Sequence, residues 1–144
     1  MTVTIAPASQ EDIREVLRVM FKAYEGKDAY INACFPRGLT DEGLEINYQR
    51  LLFLTKIVPE IYWEKATDDE SGKIIGGTMW ALHKDAKPTK APLDGPEGTW
   101  ENQTEKEYGQ ALFSSGGEDD ESYWAQNGLP ILSECSLFFV VAFY

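Results

Sequence analysis

Few side chains in this 144-residue chain have the type and spacing that catalysis or ligand binding requires. His83 is the only histidine, and an imidazole is the ordinary side chain that titrates near neutrality. No acid or nucleophile stands near it in a pattern that would build a proton relay, so proton transfer and a structural or solvated role both stay open. Cys34 and Cys135 lie far apart, with no CxxC spacing and no histidine-rich surroundings. That argues against a zinc site and a disulfide framework, and for two small core thiols in a reducing compartment. Gly76-Gly77 and Gly116-Gly117 are not followed by basic residues and resemble no phosphate-binding loop. Glu134 is the one carboxylate inside the apolar stretch 129–144.

The formal charge of -11 narrows the partners. Residues 94–123 hold nine acids against Lys106 alone. An acidic chain without a basic stripe repels phosphate backbones, so nucleic acid is excluded as a partner. The acidic block is either a solvated face or a means of steering a cationic substrate. The apolar stretch 129–144 is too short for a membrane helix and contains Glu134. The opening MTVTIAPASQEDI has no basic flank followed by an apolar core. No membrane partner and a cytoplasmic location are the expectations.

Hydropathy patterning then supplies the elements that must position these groups. Thr2-Val3-Thr4-Ile5 alternates as a half-buried strand does. Ser9 offers a helix cap, and Ile13, Val16, Leu17, Met20, Phe21 and Tyr24 recur at three- and four-residue steps. Residues 27–39 read as a connector. Thr40 caps a second helix with Leu44, Tyr48, Leu51 and Leu52 on its buried face. Two strand-like runs around Asp68-Asp69-Glu70-Ser71-Gly72 predict a hairpin, and Gly76-Gly77 within it predicts a bulge or a close backbone approach. Residues 84–103, with three prolines and two glycines, read as a long loop, functional or mobile. Trp100 and Trp124 would anchor the acidic stretch to the body. Thr104-Glu105-Lys106-Glu107 has a capping-box pattern, and a further short helix follows from Glu118. Residues 137–144 form a continuous apolar run suited to a buried strand. The order is β-α-α-β-β-loop-α-α-β, an α/β (α+β) chain with a mixed sheet.

Several motifs carry a family resemblance in this order. Thr4-Ile5-Ala6-Pro7-Ala8-Ser9-Gln10-Glu11-Asp12-Ile13 is similar to the strand-to-capped-helix start of GNAT-family N-acetyltransferases. Asp69-Glu70-Ser71-Gly72-Lys73-Ile74-Ile75-Gly76-Gly77 resembles the turn and third strand of that family, and Trp80-Ala81-Leu82-His83-Lys84 resembles its fungal members. The resemblance covers residues 1–132. In the family a fourth strand then runs into a Gln/Arg-x-x-Gly-x-Gly/Ala loop that cradles the acetyl-CoA pyrophosphate. Here residues 133–144 read Ser133-Glu134-Cys135-Ser136 and an apolar tail in that place, a chain cut off before the cofactor loop.

The resemblance implies transfer of an acetyl group from acetyl-CoA to a small amine or protein amine. It also implies that this chain, lacking the loop, does not perform the transfer as given and contributes no cofactor-binding residue. Glu134 would stand where some members hold the general base that takes a proton from the attacking amine. Tyr30, Phe35 and Trp80 would line the acceptor pocket; core packing is the alternative for each. No metal is expected. A reading from another class stays open: a non-catalytic acidic module that self-associates or binds a partner through an open terminal strand at residues 137–144.

Overall fold

Strand β1 (Val3–Pro7) ends at a proline, and Ser9 then opens helix α1 (Gln10–Tyr24). The Ser9 hydroxyl accepts from the Asp12 amide while the Asp12 carboxylate accepts from the Ser9 amide. This reciprocal cap satisfies two donors that no helical carbonyl can reach. Ile13, Val16, Leu17, Met20 and Phe21 are buried, the face their spacing predicts. The helix stops where Glu25 and Gly26 take positive φ. The structure, a computed structural model, describes residues 2–58, 60–89, 92–116 and 118–134.

The connector differs from its expectation. Asp28 caps an additional helix, α2 (Ala29–Cys34), by accepting from the Ile31 amide at 2.8 Å. Six residues are too few to display a helical hydrophobic period, so the sequence pattern does not reveal this element. Helix α3 (Asp41–Ile57) follows, capped by the Thr40 hydroxyl accepting from the Gly43 amide. Its buried face holds Leu44 and Leu51 as expected, and also Asn47 and Arg50.

Strands β2 (Ile61–Asp68) and β3 (Ile74–His83) form the expected hairpin. Both expectations for the glycine pair are met. The register shifts at Ala66/Thr67, opposite this part of β3. A Cβ on Gly77 would lie 2.7 Å from the Glu64 carbonyl oxygen and 2.7 Å from a Val16 methyl. Helix α4 (Gln103–Ser115) begins before the Thr104 box: Asn102 is the cap, accepting from the Glu105 amide at 3.0 Å. Asparagine caps as well as threonine does, and the earlier residue captures the Glu105 amide, starting the helix two residues sooner. Helix α5 (Glu118–Gln126) and strand β4 (Ile131–Glu134) complete the described chain. The last described strand is therefore 131–134; the strand expected at 137–144 lies outside the described residues.

The sheet order is β1-β2-β3-β4. The α/β expectation holds, but every described strand pair is antiparallel rather than mixed. Helix α1 covers one face. Lys65 reaches down to Asp12 at 2.7 Å, and the paired residues Trp63 and Met79 join Val16, Leu17 and Met20 in the core. The register sets which side of strand β1 faces the helix. Ala6 pairs with Lys65, which fixes Thr4 and Ala6 on the α1 side. Because strand side chains alternate, Val3 and Ile5 lie on the opposite face. They are 39% and 61% exposed.

Two measurements follow from this packing. Gly77→Ala should destabilise the chain by about 1–3 kcal/mol through overpacking against Val16 and β2, read from urea unfolding. Lys65, and after it the Ser9 amide, hold the Asp12 carboxyl below its ordinary value of 3.8. A depressed acid contributes stability that is present above 3.8 and lost as pH falls through the folded-state value. Asp12→Asn should therefore flatten the acid limb of the stability profile, measured by thermal melts on either side of that value.

Candidate functional site

Strand β3 carries Trp80 to the face opposite α1. Tyr62 on β2 and Glu134 on β4 are its direct partners in register. The Trp80 indole Nε1 donates to the Glu64 carboxylate at 3.0 Å. Glu64 is the register partner of Thr78, so the indole reaches back along its own strand past a buried Thr78. Trp80 with Tyr62 and the Glu64 carboxylate combines aromatic rings with an acid, and Glu134 stands next in register. Ring quadrupoles and carboxylates both attract cations, and carboxylates accept strong hydrogen bonds from ammonium groups. Trp80 and Glu134, two of the residues singled out from the sequence, are thus neighbours. Tyr62 and Glu64 were missed; the available signal was that residues 62, 64 and 80 share one face of a predicted hairpin.

Tyr30 and Phe35 stand on the other side of the sheet, in the helical layer. Phe35 is buried, its ring 6.4 Å from that of Phe21 and 5.5 Å from the Arg50 guanidinium carbon. Tyr30 packs half-buried against the same core. Burial, and after it the neighbouring Cys34, pushes the Tyr30 phenol up to about 12. Burial likewise pushes the Cys34 thiol up to about 11. Both stay protonated at neutral pH, which leaves Cys34 a weak nucleophile and Tyr30 a weak acid. The acceptor-lining trio expected from the sequence is therefore not assembled: Trp80 is separated from Tyr30 and Phe35 by the sheet.

A polar node organises the helical layer. Arg50 Nε donates to the Asp94 carbonyl at 3.1 Å, and its Nη1 donates to the Cys34 carbonyl at 2.8 Å and to Asn47 Oδ1 at 2.9 Å. Asn47 Nδ2 donates in turn to the Gly43 and Pro36 carbonyls. The Arg50 guanidinium lies 4.9 Å from the Trp100 ring, whose indole donates to the Ala33 carbonyl at 2.9 Å. Burial pushes the Arg50 pKa down to about 10, which leaves it charged at neutral pH. The second half of the long loop is pinned by this node. Leu93 packs on the core and its carbonyl accepts from Gln110, Thr99 is buried, and Arg37 donates to the Gly98 carbonyl. Trp100 anchors its segment as expected, and Trp124 is half-buried. A shallow cavity of about 330 Å³ lies beside the pinned loop, between Pro96, Trp100, Asn102 and Lys106. Its one cation, Lys106, is already paired with Asp94 at 2.6 Å.

His83 has a partner that the sequence reading did not find. Its Nε2 lies 3.2 Å from Ser133 Oγ, and that hydroxyl also faces the Ala81 carbonyl at 3.5 Å. A serine–histidine contact is half of a nucleophile–base pair. No described hydrogen bond orients the other imidazole nitrogen, so the contact bridges β3 and β4 without forming a relay. Among the described residues no group of three or more His, Cys, Asp or Glu could hold a metal ion, and no helix is long and apolar enough to cross a membrane. No protein-family model and no curated protein matches the chain.

The node predicts a specific loss. Arg50→Leu keeps most of the buried volume but leaves the Cys34 and Asp94 carbonyls and Asn47 Oδ1 without their donor. It should cost about 3 kcal/mol or more, and Arg50→Lys should not restore it, because an ammonium lacks the planar fork. Hydrogen exchange should show the amides of residues 93–100 losing protection before those of β2 and β3.

Proposed function

We propose that this chain is the acceptor-side part of a GNAT-type N-acetyltransferase fold, with the Trp80 row as the place where a primary amine is received. The observation that carries the reading is the register of Glu134 opposite Trp80, on a strand that pairs with β3 of a hairpin bearing the family-like turn. The strand order β1-β2-β3-β4, with the α1–α3 layer inserted between β1 and β2, supports it. In this reading the carboxylates raise the local concentration of a cationic amine, the indole and phenol rings hold its alkyl part, and Glu134 accepts the proton that the nitrogen must lose before it can attack. The buried free thiol of Cys34 goes with the cytoplasmic location that such an enzyme would have.

Acetyl-CoA itself does not fit the described residues. A pyrophosphate needs a cradle of backbone amides at a helix N-terminus free of competing anions. Helices α1 and α3 carry Glu11 and Asp12, and Asp41 and Glu42, in their first turns, and α4 carries Glu105. Helix α5 opens on Glu118-Asp119-Asp120-Glu121. These acids, together with Asp28 at the cap of α2, repel the diphosphate. A non-catalytic interaction module is the second reading. The exposed apolar side chains on the sheet face opposite α1 favour it, whereas residues 137–144, where pairing was expected, lie outside the described residues.

The test is an NMR titration of the full chain with n-butylamine, a diamine and a short peptide with a free N-terminus, alongside acetyl-CoA by calorimetry. At least one amine should shift the Trp80 indole and the amides of 131–134. Acetyl-CoA should show no saturable binding below about 100 μM, equivalent to about 5.5 kcal/mol. Amines that leave Trp80 and β4 unmoved overturn the acceptor site, and saturable acetyl-CoA binding overturns the cofactor part.

A further inference from the structure

Strand β1 closes one side of the sheet, and among the described residues no strand lies on its outer edge. Two backbone bonds fix how it is turned. The Asp69 amide donates to the Thr2 carbonyl at 3.0 Å, and the Ala8 amide donates to the Trp63 carbonyl at 2.8 Å. Both pairs continue the β1–β2 register, in which Thr4 meets Thr67 and Ala6 meets Lys65. Antiparallel partners alternate between bonded and non-bonded pairs. The even residues Thr2, Thr4, Ala6 and Ala8 therefore direct their backbone groups to β2, and Val3, Ile5 and Pro7 turn theirs outward. Pro7 fits this phase, because its position asks for no N–H. The outward row is thus an N–H and a C=O from Val3 and from Ile5, ended by a proline. Helix α1 packs chiefly on β3 and β2, and Val3, Thr4 and Ile5 are exposed, Ile5 at 61%.

An edge of this kind pairs with another strand unless something prevents it, and natural edges carry lysine, proline or a bulge for that purpose. Thr2-Val3-Thr4-Ile5-Ala6 has no charge, and four of its five residues are β-branched, the type that pairs well across strands. Charge then selects the occupant. Each chain carries a net charge of -11, so two copies repel over most of their surfaces, and this strand is where they can meet without opposing like charges. The β2 acids beside it, Asp68 opposite Val3 and Glu64 opposite Pro7, would stand at least three strand spacings, about 14 Å, from those of the other copy. That separation exceeds the Debye length in ordinary salt. The register is also self-complementary. Val3 opposite Ile5 of a second copy, with Thr4 against Thr4 at the centre, bonds all four outward groups of each chain. It sets Val3 and Ile5 side chains against each other on one face and two threonines on the other. A shift of two residues toward the strand's end places Val3 opposite Pro7, which has no N–H to give.

We propose that β1 is the edge through which two copies of this chain pair antiparallel, Val3 to Ile5 about a two-fold axis at Thr4, joining two four-stranded sheets into one. A two-fold axis perpendicular to a sheet keeps its faces, so both copies of α1 lie on one side and both copies of Trp80 on the other. The edge is short, so the dimer is weak, and it tightens with salt because the repulsion between the acidic chains is screened. The inference does not depend on the acetyltransferase reading, since it rests on the phase of the β1 bonds and on charge.

The test is sedimentation equilibrium of the full chain across a concentration series at low and high salt, with amide exchange followed by NMR. A dimer should form with concentration and increase with salt. Exchange at Val3 and Ile5 should slow as it forms, while Thr4 and Ala6, already bonded to β2, keep their rates. Thr4→Lys sets two cations face to face and should weaken the dimer about fivefold or more, with an unchanged melting temperature in dilute solution because Thr4 is exposed. Thr4→Cys gives a positive readout. Opposed Cα atoms of a non-bonded pair lie about 4.5 Å apart, within the span of a disulfide, so mild oxidation should give a dimer linked at residue 4. A chain that stays monomeric throughout overturns the proposal. So does a dimer that Thr4→Lys leaves intact and whose Val3 and Ile5 amides exchange freely, which would place the contact elsewhere, residues 137–144 included. Slow exchange of Val3 and Ile5 at every dilution would show the edge covered by the chain itself. Slowing only when an unrelated extended peptide is added would assign the edge to another protein's strand, and either result also overturns the proposal.

Discussion

A single buried cation, Arg50, holds the helical layer together. Among the described residues its guanidinium meets no carboxylate at ion-pair distance. It is held by two backbone carbonyls, an asparagine oxygen and the faces of Phe35 and Trp100. Arginine suits this setting because its planar fork donates in several directions while its faces stack on rings, and because it is more weakly hydrated than an ammonium. The desolvation cost appears as a pKa lowered to about 10. That cost is offset only while α2, α3 and the Asp94 segment all keep their carbonyls aimed at it. Three segments distant in sequence are therefore fixed relative to one another by one side chain. The close packing of Gly95 on Arg50, and of Gly109 on the Ala33 carbonyl and the Trp100 indole, follows from the same constraint.

The sheet is organised by a different constraint, the approach of α1 to the hairpin. Gly77 allows contact with Val16, and Lys65–Asp12 fixes the rotation of β2 about its axis. Once Lys65 faces α1, strand alternation determines every other residue in register with it. Trp63 and Met79 go to the core; Tyr62, Glu64 and Trp80 go to the far face. The candidate amine site thus arises from this ion pair, although it does not include it.

Much of the local structure was legible in the sequence because it depends on neighbours. Ser9 and Thr40 cap helices where their side chains meet amides three residues on, the apolar stripe of α1 is buried as spaced, and the polar turn at 69–73 closes a hairpin. Short elements escaped. Helix α2 has too few residues to show a period, and the cap of α4 at Asn102 competes with an equally plausible one two residues later. Asn47 and Arg50 were passed over because a hydrophobic count treats buried polar residues as surface.

What the sequence by itself determined is the α/β class, the element types and the acidity, all of which follow from composition and from interactions within a few residues. Tertiary structure decided which face each strand shows. The pattern Thr2-Val3-Thr4-Ile5 fixes that alternate side chains share a side, but a period of two cannot say which side is inward; pairing of Ala6 with Lys65 does. Tertiary structure likewise joined Trp80 to Glu134 and separated both from Tyr30 and Phe35, since adjacency across strands and separation by a sheet depend on register and layering rather than on distance along the chain.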